Sequence, residues 1–250
     1  WVPARENQVS KDPEDIAARD RLVLFFHYLL VDALMVGGFD NDLDGVIEEN
    51  LPNFKGKLDW LGLQYYFRAG VTGNGGLLPV LKLTPCFSTF DFGSCVEPID
   101  RSYCVPTMGY EHYAPGIQTV IAAFGARFPG LPLVISEGGI GTEVGERRAE
   151  NIVRALEHIH AARRSGVDVR GYYHWSLYDN FEWAEGFGPR FGLYSVDYAT
   201  YERTPTLGAD VLAQITEGRK LSRALRSKHG GKGPMTTEGS PPEDGACQKY

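Results

Sequence analysis

The chain has 250 residues, of which 43% are hydrophobic and 23% charged, a composition typical of a globular protein with a substantial core. The formal net charge of −7 argues against a nucleic-acid partner. No apolar run approaches the roughly 18 residues that a bilayer span requires, so we expect no membrane partner either.

The first predicted helix begins at Asp12–Pro13, where an acidic cap precedes a proline, and it ends at Gly37–Gly38. The segment Asp40–Gly45 then places acids at alternate positions and glycine sixth, as in the first half of a calcium loop. The twelfth position is Leu51, where a calcium loop needs a bidentate Glu. We therefore interpret the segment as a polar turn and expect no metal site.

Strands and helices alternate along the rest of the chain. The predicted elements are strands at 58–67, 131–139 and 167–175, and helices at 115–128, 146–165 and 206–225. Such alternation implies a parallel sheet, either open or barrel-shaped. Only three full strands are evident, with Trp1–Pro3 as the candidate end of a fourth, so counting excludes a complete eightfold barrel.

Two stretches lack regular patterns. Residues 70–108 are rich in Gly, Pro, Ser and Thr without a clear period, which predicts a functional loop or small strands that the pattern cannot locate. Beyond residue 226, Gly, Pro, Lys and Glu dominate. We therefore divide the chain into a folded part, 1–225, and a disordered tail, 226–250.

Cysteine spacing leaves the redox compartment open. Cys86, Cys95 and Cys104 recur every nine residues without a C-x-x-C pair, which disfavours zinc, and Cys247 stands alone. A disulfide within the 86–104 loop is one interpretation; reduced thiols in a cytoplasmic protein is the one we favour. The chain opens with Trp1 rather than Met, so we expect its own beginning to be missing, and secretion stays open.

The strand that ends near Trp175 leads into a loop with aromatic and acidic side chains. These are Phe181, Glu182, Trp183, Glu185 and Phe187. Flat apolar rings cover the C–H faces of a pyranose, and carboxylates accept hydrogen bonds from its adjacent hydroxyls. The stretch thus predicts a sugar site, although an aromatic packing cluster with solvated acids fits it equally well.

The carboxyl ends of parallel strands face one crevice, so the groups at Gln64–Tyr66, Glu137 and Trp175 should converge. A Glu that ends a hydrophobic strand and precedes two glycines is a candidate nucleophile, because the glycines let a ligand come close. A nearby tyrosine hydroxyl could orient its carboxylate. The alternative is that Glu137 is a helix-capping or salt-bridged acid.

Several motifs together resemble glycoside hydrolase family 1, the family of β-glucosidases, β-galactosidases and related retaining enzymes. They are Leu61–Tyr66, Met108–Gly116, Ile135–Gly139, Trp175–Trp183 and Arg190–Leu193, within a similarity that runs from about Asp12 to Glu217. The resemblance implies a (β/α)8 TIM barrel, of which this chain carries only the C-terminal half, about strands 6 to 8 and helices 5 to 8. It implies a retaining β-glycosidase, in the first place a β-glucosidase, that needs no cofactor.

The resemblance also implies roles for single residues. Glu137 takes the place of the catalytic nucleophile, and Tyr66 that of a tyrosine that hydrogen-bonds it. Trp175 lies where an indole forms the floor of the subsite for the glycone, the sugar that is transferred. Glu182 and Trp183 match a pair that holds the outer hydroxyls of the sugar.

Some positions depart from the family pattern. Gln64 and Tyr110 stand where the family usually has Asn and Trp, and Tyr110 is expected to stack on the aglycone, the leaving group. Gly139 replaces the usual Asn beside the nucleophile. The acid/base Glu belongs to an Asn-Glu-Pro motif that this chain lacks, and Asn50–Pro52 is no substitute.

The missing acid has a mechanistic consequence. Without it, departure of the leaving group loses a factor of roughly 10²–10⁴. We expect the isolated chain to be inactive or to need a complementing N-terminal half-barrel as a partner, with a small β-glycoside or oligosaccharide as substrate. The alternative is a non-catalytic sugar-binding or scaffold protein derived from the same barrel.

Overall fold

The computed structural model describes residues 1–6, 8–74, 78, 81–86, 96–238 and 247, with only the backbone of residue 86. The strands are β1 (Val2–Arg5), β2 (Gln8–Val9), β3 (Gly38–Phe39), β4 (Glu49–Asn50), β5 (Leu61–Gln64), β6 (Gly70–Thr72), β7 (Thr84–Cys86), β8 (Cys104–Val105), β9 (Tyr110–Glu111), β10 (Leu133–Glu137), β11 (Val169–Tyr172), β12 (Tyr194–Val196) and β13 (Arg203–Pro205). The helices are α1 (Pro13–Val23), α2 (Leu29–Val36), α3 (Pro115–Arg127), α4 (Gly145–Arg164), α5 (Leu207–Gly218) and α6 (Arg223–His229). None of the helices described is long and apolar enough to cross a membrane.

The chain divides into two compact units. Unit 1 comprises Trp1–Leu61 and Arg68–Glu97, and unit 2 comprises Gly62–Phe67 and Pro98–Tyr250. The boundary falls inside β5, whose residues beyond Leu61 belong to unit 2. Every side chain to which the sequence assigned a sugar-binding or catalytic role lies in unit 2.

Unit 1 contains a four-stranded sheet in the order β2-β1-β6-β7. The predicted helix start is confirmed, because the Asp12 side chain accepts a hydrogen bond from the Glu14 N–H at 2.9 Å. A π-helical turn at Leu24–Tyr28 separates α1 from α2. The strand expected at Trp1–Pro3 exists as β1, which pairs with β6 and β2.

Asp40–Gly45 has the hydrogen bonds of a polar turn, as predicted. The Asp40 carboxylate accepts N–H bonds from Leu43 at 2.6 Å and from Gly45 at 2.8 Å. Carboxylate oxygens of Asp40, Asp42, Asp44 and Glu48 lie within 4.8 Å of one another. Asp44 and Glu48 also accept backbone N–H bonds, from Val46 at 2.8 Å and from Asn41 at 2.7 Å.

Unit 2 is built on the three main strands that the sequence predicted. They form one sheet in the order β11-β10-β5, and β10 and β11 are parallel with a register shift between Leu133 and Val134. The helices α3 and α4 pack against each other and end within a residue or two of the expected positions. Their buried faces include Ile117, Ile121, Ile152 and Ile159, which recur at helical spacing.

Two expectations for unit 2 were wrong. The helix predicted over 206–225 is two helices, because Arg219 takes a left-handed conformation and Ser222 caps α6 through the Leu225 N–H. The strand predicted over 167–175 ends at Tyr172, and Tyr173 just beyond it is 65% exposed. The sheet ends at β11 among the described residues, so no further strand covers that side chain.

The expectation of disorder from residue 226 onward fails for residues 226–238. Residues 230–238, here called the C-terminal strap, accept hydrogen bonds from two buried arginines of α4.

 Arg147 donates to the Thr236 carbonyl of the strap at 3.1 Å, and Arg154 donates to the Gly233 carbonyl at 2.8 Å. Arg148 instead donates to the carbonyls of Thr142 and Arg190. Because a buried guanidinium needs acceptors, the strap has a defined path along α4.

A disulfide joins Cys104 of β8 to Cys247, and both cysteines are buried. The expectation of reduced thiols was therefore wrong for this pair, since sequence spacing could not show that β8 and the chain's end come together. Cys95 lies outside the described residues, as do 239–246 and 248–250 of the predicted tail.

Candidate active site

Glu137 and Tyr66 meet at the ends of two adjacent strands. The Tyr65 N–H donates to the Glu137 carbonyl at 3.0 Å, which fixes the exit of β5 beside the end of β10. The Tyr66 hydroxyl then donates to Glu137 Oε2 at 2.6 Å. Burial, followed by the hydrogen bond to Glu137, raises the pKa of Tyr66, so the phenol keeps its proton and remains a donor.

The turn after Glu137 brings the chain close to Trp175. The Trp175 N–H donates to the Gly138 carbonyl at 3.0 Å. A Cβ at Gly139 would collide with the Trp175 carbonyl oxygen, so a residue with a side chain would force the two segments apart. The glycine at this position thus allows the contact between the end of β10 and the segment after β11.

Trp175 and Glu182 form a hydrogen-bonded pair. The indole Nε1–H donates to Glu182 Oε1 at 2.7 Å. The pKa of Glu182 is raised, chiefly by burial and also by the nearby charge of Glu137, although the indole hydrogen bond opposes the rise. Glu137, Tyr66, Trp175 and Glu182 therefore share one electrostatic environment, and the predicted convergence of strand ends holds for these four.

The alternative interpretation of Glu137 as a salt-bridged acid finds no support in the described part of the chain. No arginine, lysine or histidine there lies within ion-pair distance of its carboxylate, and its partner is the neutral phenol of Tyr66. A carboxylate that accepts one phenol hydrogen bond keeps a second oxygen for chemistry.

The loop after Trp175 is anchored by Asp179, whose side chain is 1% exposed. Its carboxylate accepts the Gly192 N–H at 2.8 Å and the Val196 N–H at 3.2 Å, and it lies 3.4 Å from the Arg190 guanidinium. These bonds join the two ends of the loop that carries Glu182. Asp179 thereby helps to position the carboxylate that faces Glu137.

The aromatic residues of the loop are exposed and differ in their ring contacts. Phe187, 54% exposed, lies edge-on to Phe181 at 5.4 Å and to Tyr198 at 4.9 Å between ring centroids. Trp183, in a 3-10 turn with a positive φ, is 83% exposed and presents an open indole.

Tyr110 does not present a free ring face. It is 7% exposed and stacks on Phe67, with 4.6 Å between centroids and 19° between planes. Its buried hydroxyl has no hydrogen-bond partner among the described residues. The geometry is therefore unlike that expected of an aglycone platform, because Phe67 fills the space against the ring. Gln64, by contrast, is exposed at the end of β5.

Sequence reasoning did not assign a role to three residues that support this site. The role of Asp179 could have been inferred from the sequence, because an acid inside an aromatic run needs a partner. Its partners Arg190 and Gly192 follow shortly after. His112, which lies 3.3 Å from the Tyr66 carbonyl, and Asn151, which contacts His112 from α4, gave no signal. Their contacts depend on tertiary packing that no periodicity encodes.

Comparison with known proteins identifies the family. A family model described as glycosyl hydrolase family 1 matches residues 3–220. A β-galactosidase of Sulfolobus acidocaldarius is 32% identical over 217 residues, which cover 85% of this chain and 41% of that protein. The chain belongs to glycosyl hydrolase family 1, as the motifs indicated.

Two further relatives bear on fold and activity. The solved structure of a β-glycosidase from Pyrococcus horikoshii aligns with a TM-score of 0.73 and 32% identity, over 90% of this chain and 49% of that one. A protein of Oryza sativa subspecies japonica described as probable inactive beta-glucosidase 14 is 28% identical over 86% of this chain. The chain spans about half the length of the solved relative, and its fold is the C-terminal part of a TIM barrel.

Proposed function

We propose that this chain carries the nucleophile and the glycone-binding side chains of a retaining β-glycosidase that acts on β-glucosides or related β-glycosides. The observation that carries the proposal is the 2.6 Å hydrogen bond from Tyr66 to Glu137, next to the Trp175–Glu182 pair. A half-buried carboxylate with one oxygen held by a phenol and a second oxygen for chemistry suits attack on an anomeric carbon.

The proposed reaction begins when Glu137 attacks C1 of the bound sugar. The C1–O bond to the aglycone breaks, its electron pair leaves with the aglycone oxygen, and a covalent glycosyl-enzyme forms on Glu137. Tyr66, kept neutral by its raised pKa, holds the carboxylate in place before the attack. Water then attacks C1 from the side that the aglycone left and gives its proton to the acid/base carboxylate that the complementing half-barrel would supply. The C1–O bond to Glu137 breaks, its electron pair returns to the Glu137 carboxylate, and the sugar departs with retained configuration.

We assign sugar binding to the pair formed by Trp175 and Glu182. The Trp175 ring offers an apolar surface for the sugar's C–H face, and Glu182 offers acceptors for its outer hydroxyls. In the structure the indole N–H and the Glu182 carboxylate bond each other, so a bound sugar would replace that contact with its own hydroxyls. Trp183 adds an exposed indole beside Glu182.

The acid that protonates the leaving group must come from outside the described residues, because the sequence has no Asn-Glu-Pro motif. We propose that a complementing half-barrel supplies it, with its carboxyl about 5–5.5 Å from that of Glu137, as retention requires. The three-stranded sheet supports this, since β11 and β5 are both edge strands among the described residues and a barrel strand could pair with each.

The test is turnover of an aryl β-glucoside by the chain combined with a half-barrel that contains the acid. Glu137→Gln should lower turnover at least 100-fold while circular dichroism stays unchanged. Glu182→Gln should mainly raise KM, since it removes a sugar contact rather than the nucleophile. Activity of Glu137→Gln above about one per cent of the unaltered chain would remove Glu137 from this role.

A non-catalytic sugar-binding protein is the second candidate. The absence of an acid motif favours it, and so does similarity to a relative described as probably inactive. It predicts that the chain binds methyl β-glucoside reversibly, that Trp175→Ala abolishes binding, and that no half-barrel restores turnover. NMR titration with the sugar, followed by an assay for released methanol, separates the two candidates.

A further inference from the structure

His112 is buried directly behind the Tyr66–Glu137 pair. It follows β9, it is 3% exposed, and its N–H donates to the Tyr103 carbonyl at 2.8 Å. Its ring Nδ1 lies 3.3 Å from the Tyr66 carbonyl oxygen. The ring thus contacts the backbone of the residue whose hydroxyl holds the candidate nucleophile.

One neutral tautomer fits the contacts of the two ring nitrogens. The Tyr66 carbonyl can only accept, so Nδ1 must carry the proton. Nε2 is then an acceptor, and the Asn151 amide Nδ2, a donor, lies 3.3 Å from it and 3.5 Å from Nδ1. Burial lowers the pKa of His112 to about 4, and Arg147 and Arg154 of α4 favour the neutral ring further.

The backbone at Tyr65 and Tyr66 is held from several directions. The Tyr65 N–H donates to the Glu137 carbonyl, and the Tyr65 hydroxyl donates to the Tyr113 carbonyl at 2.5 Å. His112 adds a third bond, on the carbonyl of Tyr66 itself. A shift of the backbone there would move the Tyr66 hydroxyl relative to Glu137, and a misplacement of 1 Å can cost on the order of 100-fold in rate.

We propose that His112, oriented by Asn151, is a positioning residue that holds the Tyr66 carbonyl and thereby directs the Tyr66 hydroxyl toward Glu137. The inference deepens the proposed function and rests on it for its kinetic consequence. The geometric consequence, the position of the Tyr66 hydroxyl, stands independently of turnover.

The test compares His112→Leu, which removes the donor, with His112→Asn, whose side-chain amide places a donor near the position of Nδ1. Crystal structures of the full chain should show the distance from the Tyr66 oxygen to Glu137 Oε2 lengthened beyond 3.2 Å in His112→Leu and near 2.6 Å in His112→Asn. An unchanged distance in His112→Leu would overturn the proposal whether or not the protein is active.

The kinetic arm uses the rate at which a 2-deoxy-2-fluoro-glucosyl fluoride labels Glu137. His112→Leu should label about tenfold or more slowly with an unchanged apparent affinity, and His112→Asn should recover to within threefold. His158→Leu is the matched control, since His158 is half-buried on α4 and bonds Gln118 instead. Equal labelling of His112→Leu and the unaltered chain contradicts the positioning role, whereas failure to label the unaltered chain contradicts the proposed function.

Discussion

The two carboxylates of the site differ in the group that donates to each. Glu137 accepts from a phenol, and Glu182 accepts from an indole N–H. Both donors are neutral, so the described contacts leave the negative charges of the two acids uncompensated and close enough to interact. A sugar that places its hydroxyls between them would supply further donors, and this is the physical reason to expect binding there.

His112 predicts a pH dependence of folding stability. Its pKa is lowered to about 4 by burial, whereas an unfolded histidine titrates near 6.5. Between these values the unfolded state binds the proton and the folded state does not, so stability falls as pH decreases from 6.5 toward 4. At pH 5 this contribution is about 2 kcal/mol for one histidine.

Urea unfolding at pH 7 and pH 5 measures this effect. The unaltered chain should lose stability between the two values, and His112→Asn should lose about 2 kcal/mol less. His174, whose pKa is lowered to about 3 by burial, contributes in the same direction and remains in both proteins. The same loss in His112→Asn as in the unaltered chain would contradict a buried neutral ring at position 112.

Some residues of the site were predictable and others were not. Glu137, Tyr66 and Trp175 lie at strand ends, and the ends of parallel strands converge by geometry, so a pattern of three strands places them together. Tyr110 was misjudged, because the sequence cannot show that Phe67 occupies the space against its ring. His112 directly follows a short strand pair, and its contacts with Tyr66 and Asn151 depend on tertiary packing.

At the scale of elements, α4 and α5 pack closely because the second residue of α5 is a glycine. A Cβ at Gly208 would lie 2.6 Å from Arg148 Cγ, so the glycine lets α5 approach the buried arginine. Gly218, at the other end of the same helix, leaves 3.8 Å to the nearest atom, in Lys220. Substitutions at Gly208 and Gly218 therefore provide a matched comparison between a crowded and an open position of the same helix.

Gly208→Ala should destabilise the protein by about 1–3 kcal/mol through overpacking against Arg148. Gly218→Ala should be neutral or stabilise by up to about 1 kcal/mol, because alanine has the higher helix propensity and space is available. Denaturant titration of both variants measures the difference. A stabilised Gly208→Ala protein would show that the contact between α4 and α5 is looser than described.

The helices also show what hydrophobic period can and cannot predict. The apolar stripe predicted where α4 lies in the sequence, because Ile152 and Ile159 recur on one face of the helix. The same helix buries Arg147, Arg148 and Arg154, which do not belong to the apolar stripe. Their acceptors are backbone carbonyls of loops and of the C-terminal strap, and such partners leave no periodic signal.

At the scale of the whole molecule, the Cys104–Cys247 disulfide closes a segment with a sequence separation of 143. A bond across so long a segment removes conformational freedom from the unfolded chain, for which about 2–5 kcal/mol is typical. Cys247→Ser should lower the free energy of unfolding by that amount.

The control for the disulfide is a double-mutant cycle. Cys104→Ser should cost about as much as Cys247→Ser, and the double substitution should cost little more than either, because each alone already breaks the bond. Denaturant unfolding without reductant measures all three. Losses that simply add would show that the two cysteines act independently.

The sequence could predict that the chain forms only part of a barrel, but it could not predict the path of the C-terminal strap. Counting three strands against a resemblance that needs eight indicated a partial barrel, and a solved relative matched over 49% of its own length agrees. Residues 230–238 have the composition of a disordered segment, yet hydrogen bonds from the buried Arg147 and Arg154 hold them.

The central claim is that Glu137 is the nucleophile, and covalent labelling tests it most directly. In 2-deoxy-2-fluoro-β-glucosyl fluoride or its galactosyl analogue, the C1–F bond breaks as the C1–O bond forms, and fluoride leaves without help from an acid. Peptide mapping should find one sugar per chain, on Glu137, and none in Glu137→Gln. A label on Glu182 or another acid, or no label on a chain that binds the sugar, would contradict the account.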